Sequence, residues 1–192
     1  MSDVLGELRE ACGAVARQAR HVRIERQAIA AYGAALPLDA PNPGPDPQAH
    51  LVSGTREQLA AFWLTLDAVN FGSGWFPTLR KRVGRSGYFT IAAGIRDRFV
   101  TEGPWTAAEL GRLDTRDVAQ ALGQDPDHEL MELFARSLRD LGGHVEQEHG
   151  GSFAALVDSA RGSAPALVER LAAYGCFADV SRYGDLRIPF LK

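Results

Sequence analysis

The chain has 192 residues, 45% hydrophobic and 23% charged, the composition of an ordinary globular domain with a sizeable core. Its 21 basic residues are outnumbered by 24 acidic ones, giving a net charge of −3. Proteins that hold duplex nucleic acid usually concentrate positive charge, so this balance argues against that class. Because neither a charged-then-apolar leader nor an apolar run of bilayer length is evident, we expect a cytoplasmic protein with no membrane partner.

The N-terminal part of the sequence predicts two helices. Apolar residues recur every three or four positions over residues 4–19, and Ser2 or Asp3 can cap this first helix. Cys12 lies in the apolar stripe and is predicted to be a small core residue. Residues 25–36 resume helical character after a short interruption rich in β-branched side chains.

Residues 37–47 contain prolines at every second or fourth position, which excludes a helix or a central strand there. Thr55 and Gln58 have the spacing of a capping box, and they begin the most hydrophobic helix of the chain, which we expect to be central. Asp67 and Asn70 lie on or beside the apolar face of this helix. Buried polar groups need partners, so these two side chains either brace the backbone or face a ligand.

The remaining sequence predicts further helices and one small hairpin. Thr106 and Glu109 repeat the capping-box spacing, and a short helix should end at Gly123. The helix over 127–143 is expected to end at its glycine pair, and the alternating tail after 183–185 predicts a β-hairpin. The predicted fold class is therefore mainly α, a multi-helix domain with a small hairpin near the C-terminus.

Motifs for metal, phosphate or nucleophilic chemistry are weak in this sequence. His144 and His149 flank two glutamates, but we predict an exposed loop and no metal site, because a spacing of five does not place both rings on one helix face. The glycine turn at 72–74 lacks the strand and lysine of a phosphate loop, and no Gly-x-Ser-x-Gly occurs. The basic segment 80–85 is interpreted as a solvated loop.

One acid, amide and aromatic cluster remains as a candidate site. Asp67 and Asn70 are followed within six positions by Phe71, Trp75 and Phe76. Such a group suits a pocket that holds a planar heterocycle and stabilises positive charge developing beside it. The alternative, that Asp67 and Asn70 only cap or brace the neighbouring backbone, stays open.

Four blocks of sequence, at 66–75, 86–103, 149–160 and 177–192, together resemble the queuosine salvage proteins. These are queuosine 5'-phosphate N-glycosylases, which release the base queuine for reuse in tRNA. The resemblance implies a mainly helical fold like that of the helix-hairpin-helix DNA glycosylases. It also implies hydrolysis of an N-glycosidic bond in a small nucleotide substrate, without a metal or organic cofactor.

The resemblance also implies candidate site residues. His50 falls where the family has a histidine that contacts queuine, and Asn70 with Phe71 matches an asparagine-phenylalanine pair expected to bind substrate. Lys192 matches a lysine that could partner the catalytic carboxylate or the substrate phosphate. Asp179 is a candidate for that carboxylate, although valine and serine follow it where the family's catalytic motif has tyrosine and arginine.

In the family, the motif that carries the catalytic aspartate lies beyond the block with which this chain ends. We therefore expect residues 1–192 to form a single helical domain, the N-terminal two-thirds of a longer glycosylase. The alternative function is a non-catalytic helical domain that binds queuine or a protein partner. The oligomeric state stays open.

Overall fold

A computed structural model describes residues 3–41 and 44–191. In these ranges the chain is mainly helical and ends in a two-stranded hairpin, which confirms the predicted fold class. The elements are α1 Val4–Gln18, α2 Arg26–Ala34, α3 Arg56–Ala68, a 3₁₀ turn Phe76–Thr78, α4 Gly87–Thr101, α5 Ala107–Leu110, α6 Thr115–Leu122, α7 Glu129–His149, α8 Phe153–Ser159, α9 Ala164–Leu171, β1 Ala178–Tyr183 and β2 Leu186–Leu191.

The chain divides into two units. The first comprises the N-terminal part up to Gly44 together with Val180–Phe190, and the second extends from Pro45 to Asp179. The helices of the described ranges include none that is both long and apolar enough to cross a membrane.

The core of the second unit is built on α3 and α7. All but one of the largest fully buried side chains come from these helices and from α4, α5 and α8: Phe62, Leu66, Ile91, Ile95, Leu110, Leu130, Met131, Phe134, Leu138, Leu141 and Phe153. The exception is Tyr174, which follows α9. Burying a side chain of this size contributes about 1.5–3 kcal/mol before the entropy of ordering the chain is subtracted. The predicted central position of α3 is therefore confirmed.

Local hydrogen bonds fix where these helices begin and end, as the sequence predicts. The Thr55 hydroxyl accepts from the Gln58 N–H (3.2 Å) while the Gln58 side-chain oxygen accepts from the Thr55 N–H (2.8 Å). Thr106 and Glu109 form the same reciprocal pair at α5. Helix α6 ends at Gly123, whose φ of 64° lies in the left-handed region that glycine tolerates.

Helix α7 does not end at its glycine pair, so that prediction is wrong. It passes through Gly142 and Gly143 and ends at His149, where Gly150 takes the left-handed conformation. Gly142 is instead a contact point. A Cβ added there would lie 2.5 Å from the Ala107 carbonyl oxygen and 2.6 Å from the Gly111 nitrogen, so glycine lets α7 approach α5.

The first unit is largely exposed. Asp3 caps α1 by accepting from the Gly6 N–H at 2.8 Å, while the alternative cap, Ser2, lies outside the described residues. Cys12 is exposed, contrary to its predicted core position, because the buried position of α1 is the adjacent Ala11 and neighbouring helical positions point about 100° apart. The described part of the proline segment is free of helix and strand, as predicted.

The basic segment is a loop, as predicted, and its arginines are paired with carboxylates. Arg80 donates to Asp125 at 2.7 Å and Arg82 to Asp97 at 2.8 Å. These pairs are partly exposed and each contributes at most about 1 kcal/mol. They leave these two arginines partly neutralised by the protein itself.

Candidate functional site

A short loop before α3 positions His50. The His50 N–H donates to the Asp46 carbonyl at 2.8 Å, and the Asp46 carboxylate accepts from the Gln48 N–H at 2.8 Å and from Arg85 at 2.6 Å. The Gln48 hydrogen bond and then the Arg85 guanidinium hold the pKa of Asp46 below its ordinary value. Asp46 therefore stays charged at neutral pH and keeps the loop joined to the segment before α4.

The His50 ring is buried among aromatic side chains. Only 7% of the residue is exposed, and the ring stacks on Trp63 with centroids 5.2 Å apart and planes 25° apart. The centroid of the Phe89 ring lies 5.9 Å from that of His50, and His50 Nε2 is 3.0 Å from the Tyr88 hydroxyl oxygen. In the described part of the chain, His50 Nδ1 is buried without a hydrogen-bond partner. An unpaired buried polar atom costs about 1–3 kcal/mol, which a ligand group could recover.

A carboxylate lies beside this aromatic group. Asp67 belongs to the last turn of α3 and follows Trp63 by four positions, so both side chains leave the same face of the helix. Much of Asp67 remains accessible to solvent, yet the surrounding protein desolvates its carboxylate and raises its pKa above the ordinary 3.8. Burial, and then the charge of Asp67, raises the pKa of Tyr88. An accessible carboxylate next to aromatic rings can interact with positive charge on a ligand.

Asn70 and Phe71 follow directly after α3. Asn70 is exposed, and its N–H donates to the Asp67 carbonyl at 3.1 Å. Phe71 packs edge-to-face on Phe134 of α7, with centroids 5.2 Å apart. Phe71 also lines a cavity of about 390 Å³, a volume within the range of small-molecule sites. The residues lining it are Phe71, Leu133, Arg136, Ser137, Asp140, Gly175 and Cys176.

The walls of this cavity are held by hydrogen bonds to neighbouring backbone. Ser137 donates to the Ala68 carbonyl at 2.6 Å, which joins α7 to the end of α3. Asp140 accepts from the Cys176 N–H at 2.7 Å, which joins α7 to the turn before β1. His50 and Phe71 thus have different neighbours: His50 packs among the rings of α3 and α4, and Phe71 packs against α7.

The two candidate residues near the C-terminus are less defined. Asp179 is the second residue of β1, is partly buried, and donates its N–H to the Phe177 carbonyl at 3.0 Å. Lys192 lies outside the described residues. Their predicted catalytic roles stay predictions.

The two histidines of the 144–149 segment lie in α7, so the predicted exposed loop is wrong. Despite their spacing of five, both contact Tyr174: His144 stacks on its ring at 4.1 Å, and His149 Nε2 lies 3.2 Å from its hydroxyl. His144 Nδ1 forms a hydrogen bond of 2.7 Å with a carboxylate oxygen of Glu148, four residues later in the helix. The described ranges contain no group of three or more histidine, cysteine or acidic residues able to hold a metal ion.

Tyr88 and Trp63 were not predicted as site residues from the sequence. Trp63 fits the apolar stripe of α3, and Tyr88 occupies the first turn of a helix capped by Ser86. The available signal was weak: Tyr88 belongs to one of the four blocks that carry the family resemblance. Only the folded chain brings its hydroxyl to His50, 38 residues away in sequence.

A mainly helical chain that gathers aromatic rings, a buried imidazole and a carboxylate has the groups needed to bind a planar base. Residues 50–192 match the family described as Queuosine salvage protein, and the chain belongs to that family. It is also 30% identical over 184 residues to a queuosine 5'-phosphate N-glycosylase/hydrolase of Sphaerobacter thermophilus. That alignment covers 93% of this chain and 57% of the relative, so the chain spans little more than half of the relative's length.

Proposed function

We propose that this chain acts in queuosine salvage as an N-glycosidase, hydrolysing queuosine 5'-phosphate or queuosine to release queuine. Membership of the family and the name of the Sphaerobacter relative support the substrate and the reaction. The single structural observation that supports a base-binding role is the buried His50 ring, stacked on Trp63 and bonded to Tyr88, with the Asp67 carboxylate beside Tyr88.

The proposed reaction needs a flat base held while the sugar becomes positive. Water adds to the anomeric carbon, the C–N bond breaks, and the base leaves with a proton on its former glycosidic nitrogen. Aromatic rings near His50 would contact the base, and Asn70 with Phe71 would border the substrate. A carboxylate lowers the barrier by stabilising the oxocarbenium-like transition state. Asp179 is the proposed carboxylate, with Lys192 as its proposed partner or as a contact of the substrate phosphate.

The test is to incubate the chain with queuosine 5'-phosphate and to quantify free queuine by mass spectrometry. Turnover supports the proposal. Calorimetric binding of queuine without any release of base would instead support the non-catalytic binding domain. Salt-dependent binding of duplex DNA, with neither release nor binding of queuine, would contradict both.

Asn70 provides the matching variant. Asn70→Ala should lower the rate of queuine release about tenfold or more while changing Tm by only a few degrees, because the side chain is exposed and would contact the substrate. Asp185→Asn, in the exposed hairpin turn, is the control and should change neither quantity. Parallel losses of activity and stability in Asn70→Ala would indicate that the side chain only braces the helix end.

A further inference from the structure

The Tyr88 hydroxyl joins two charged or polar groups that the sequence keeps far apart. Its oxygen lies 3.0 Å from His50 Nε2. Burial and then the negative charge of Asp67 raise the pKa of this hydroxyl. Tyr88 stands in the first turn of α4, Asp67 in the last turn of α3, and His50 in the loop before α3. The hydroxyl is thus bonded to the buried imidazole, and the carboxylate acts on it through its charge.

The direction of the Tyr88 O–H decides which nitrogen of His50 carries a proton. A neutral imidazole has one N–H and one lone pair, and a phenol can donate one proton and accept another. If Tyr88 donates to Nε2, the imidazole proton must be on Nδ1. That arrangement would bury the Nδ1–H of His50 without an acceptor in the described part of the chain, and an unpaired buried N–H is costly. The opposite arrangement avoids this cost, and the negative charge of Asp67 also favours it. The Tyr88 oxygen then accepts the proton of Nε2, and Nδ1 keeps its lone pair.

We propose that Tyr88 is a positioning residue that holds His50 in the tautomer protonated on Nε2, so that Nδ1 accepts a hydrogen bond from an N–H group of a bound planar base. The identity of that base rests on the proposed function; the tautomer does not. Nδ1 is shielded from solvent and has no hydrogen-bond partner in the described part of the chain. The Trp63 and Phe89 rings that pack on the imidazole are themselves partly exposed, so a planar base that binds beside them would supply the missing donor.

The loop before α3 supports this role because it fixes the backbone of His50. The Asp46 carboxylate accepts a hydrogen bond from Arg85, and the Asp46 carbonyl accepts one from the backbone N–H of His50. With backbone and ring stacking fixed, the remaining freedom of the imidazole is its proton, and the Tyr88 hydroxyl is the group that bonds it. Loss of the hydroxyl should therefore change the tautomer without moving the ring.

The experiment is a long-range ¹H–¹⁵N spectrum of the imidazole rings of the full chain at pH 8.5. The chain has five histidines, and the His50→Gln variant assigns the signals of His50. We expect Nε2 to be protonated in the wild type, and Tyr88→Phe to give a mixture of tautomers. Tyr183→Phe, which alters an exposed tyrosine of the hairpin, should leave the His50 signals unchanged. A His50 protonated on Nδ1, or unaffected by Tyr88→Phe in a protein that still melts cooperatively, overturns the proposal.

Addition of queuine separates this inference from the proposed function. If both hold, queuine shifts the Nδ1 resonance of His50, and Tyr88→Phe weakens queuine binding about tenfold, the effect expected for one hydrogen bond. If the tautomers behave as expected but queuine does not bind, the proposed function fails and the positioning role stands. If queuine binds equally well to the wild type and to Tyr88→Phe without shifting Nδ1, the contact with the base is wrong.

Discussion

The glycine pair in α7 offers two substitutions, one residue apart, with opposite expected effects. Gly142→Ala places a methyl group 2.5 Å from the Ala107 carbonyl oxygen and 2.6 Å from the Gly111 nitrogen, both backbone atoms that cannot rotate away. Gly143→Ala meets nothing within 4 Å. Both positions are helical, so neither substitution introduces backbone strain, and the difference between them isolates the contact between α5 and α7.

The magnitudes follow from packing and helix propensity. Replacing a helical glycine by alanine stabilises a helix by about 1 kcal/mol, and Gly143→Ala should show most of this gain. At Gly142 the same gain is outweighed by forcing two backbones apart. Overpacking in a core costs about 1–3 kcal/mol or more, and contacts with backbone fall at the upper end. In a domain of this size, 1 kcal/mol corresponds to about 2–4 °C in Tm.

The assay is thermal and urea denaturation of both variants, followed by circular dichroism at 222 nm. We expect Gly143→Ala to raise Tm by about 2–4 °C and Gly142→Ala to lower it by about 4–10 °C. If Gly142→Ala is as stable as Gly143→Ala, then α7 does not approach α5 so closely, and the account of why α7 continues through its glycines is wrong.

Two further predictions concern acid stability and thiol reactivity. Burial raises the pKa of Glu57, but three hydrogen bonds from the start of α8, each 2.8 Å, outweigh it and hold the pKa below 4.5. Its stabilisation is therefore complete above pH 4.5 and lost as the pH falls, so Glu57→Gln should cost about 1.5–3 kcal/mol at pH 7 in urea denaturation, with a smaller difference near pH 3. One of the two thiols, that of exposed Cys12, should react rapidly with a thiol reagent, whereas Cys176, 4% exposed, should react only after denaturation. Equal rates for the two native thiols would contradict the described burial.

Local signals in the sequence predicted the fold well because they are decided within a few residues. A capping box at Thr55 needs only Gln58, and a left-handed C-cap at Gly123 needs only glycine. The end of α7 could not be predicted in this way. Glycine commonly ends helices, but at Gly142 it serves a contact with a segment about 30 residues earlier, which periodicity does not reveal.

The candidate site was predictable only in part, for the same reason. The sequence indicates Asp67 and Asn70 because polar groups on an apolar helix face are unusual. It indicates His50 only through the family resemblance, since a lone histidine after a proline segment gives no signal of its own. It does not indicate Tyr88, because the packing of α4 beside α3 is what brings the Tyr88 hydroxyl to the His50 ring.

Asp67 gives a prediction that separates a site residue from a bracing residue. Desolvation raises its pKa in the folded protein above 3.8, so its charged form is less favourable in the folded state than in the unfolded one. Stability should therefore increase as the pH falls through the folded pKa, and at pH 7 the charge opposes folding. Asp67→Asn should leave Tm at pH 7 unchanged or higher, with the difference from the wild type disappearing below about pH 4, while queuine release falls. A carboxylate that only ordered the helix end would behave in the opposite way: its loss would lower Tm and leave the chemistry of any folded molecules intact. Denaturation curves and queuine release measured on the same preparations distinguish the two roles, since loss of a bracing carboxylate lowers stability and loss of a site carboxylate lowers release.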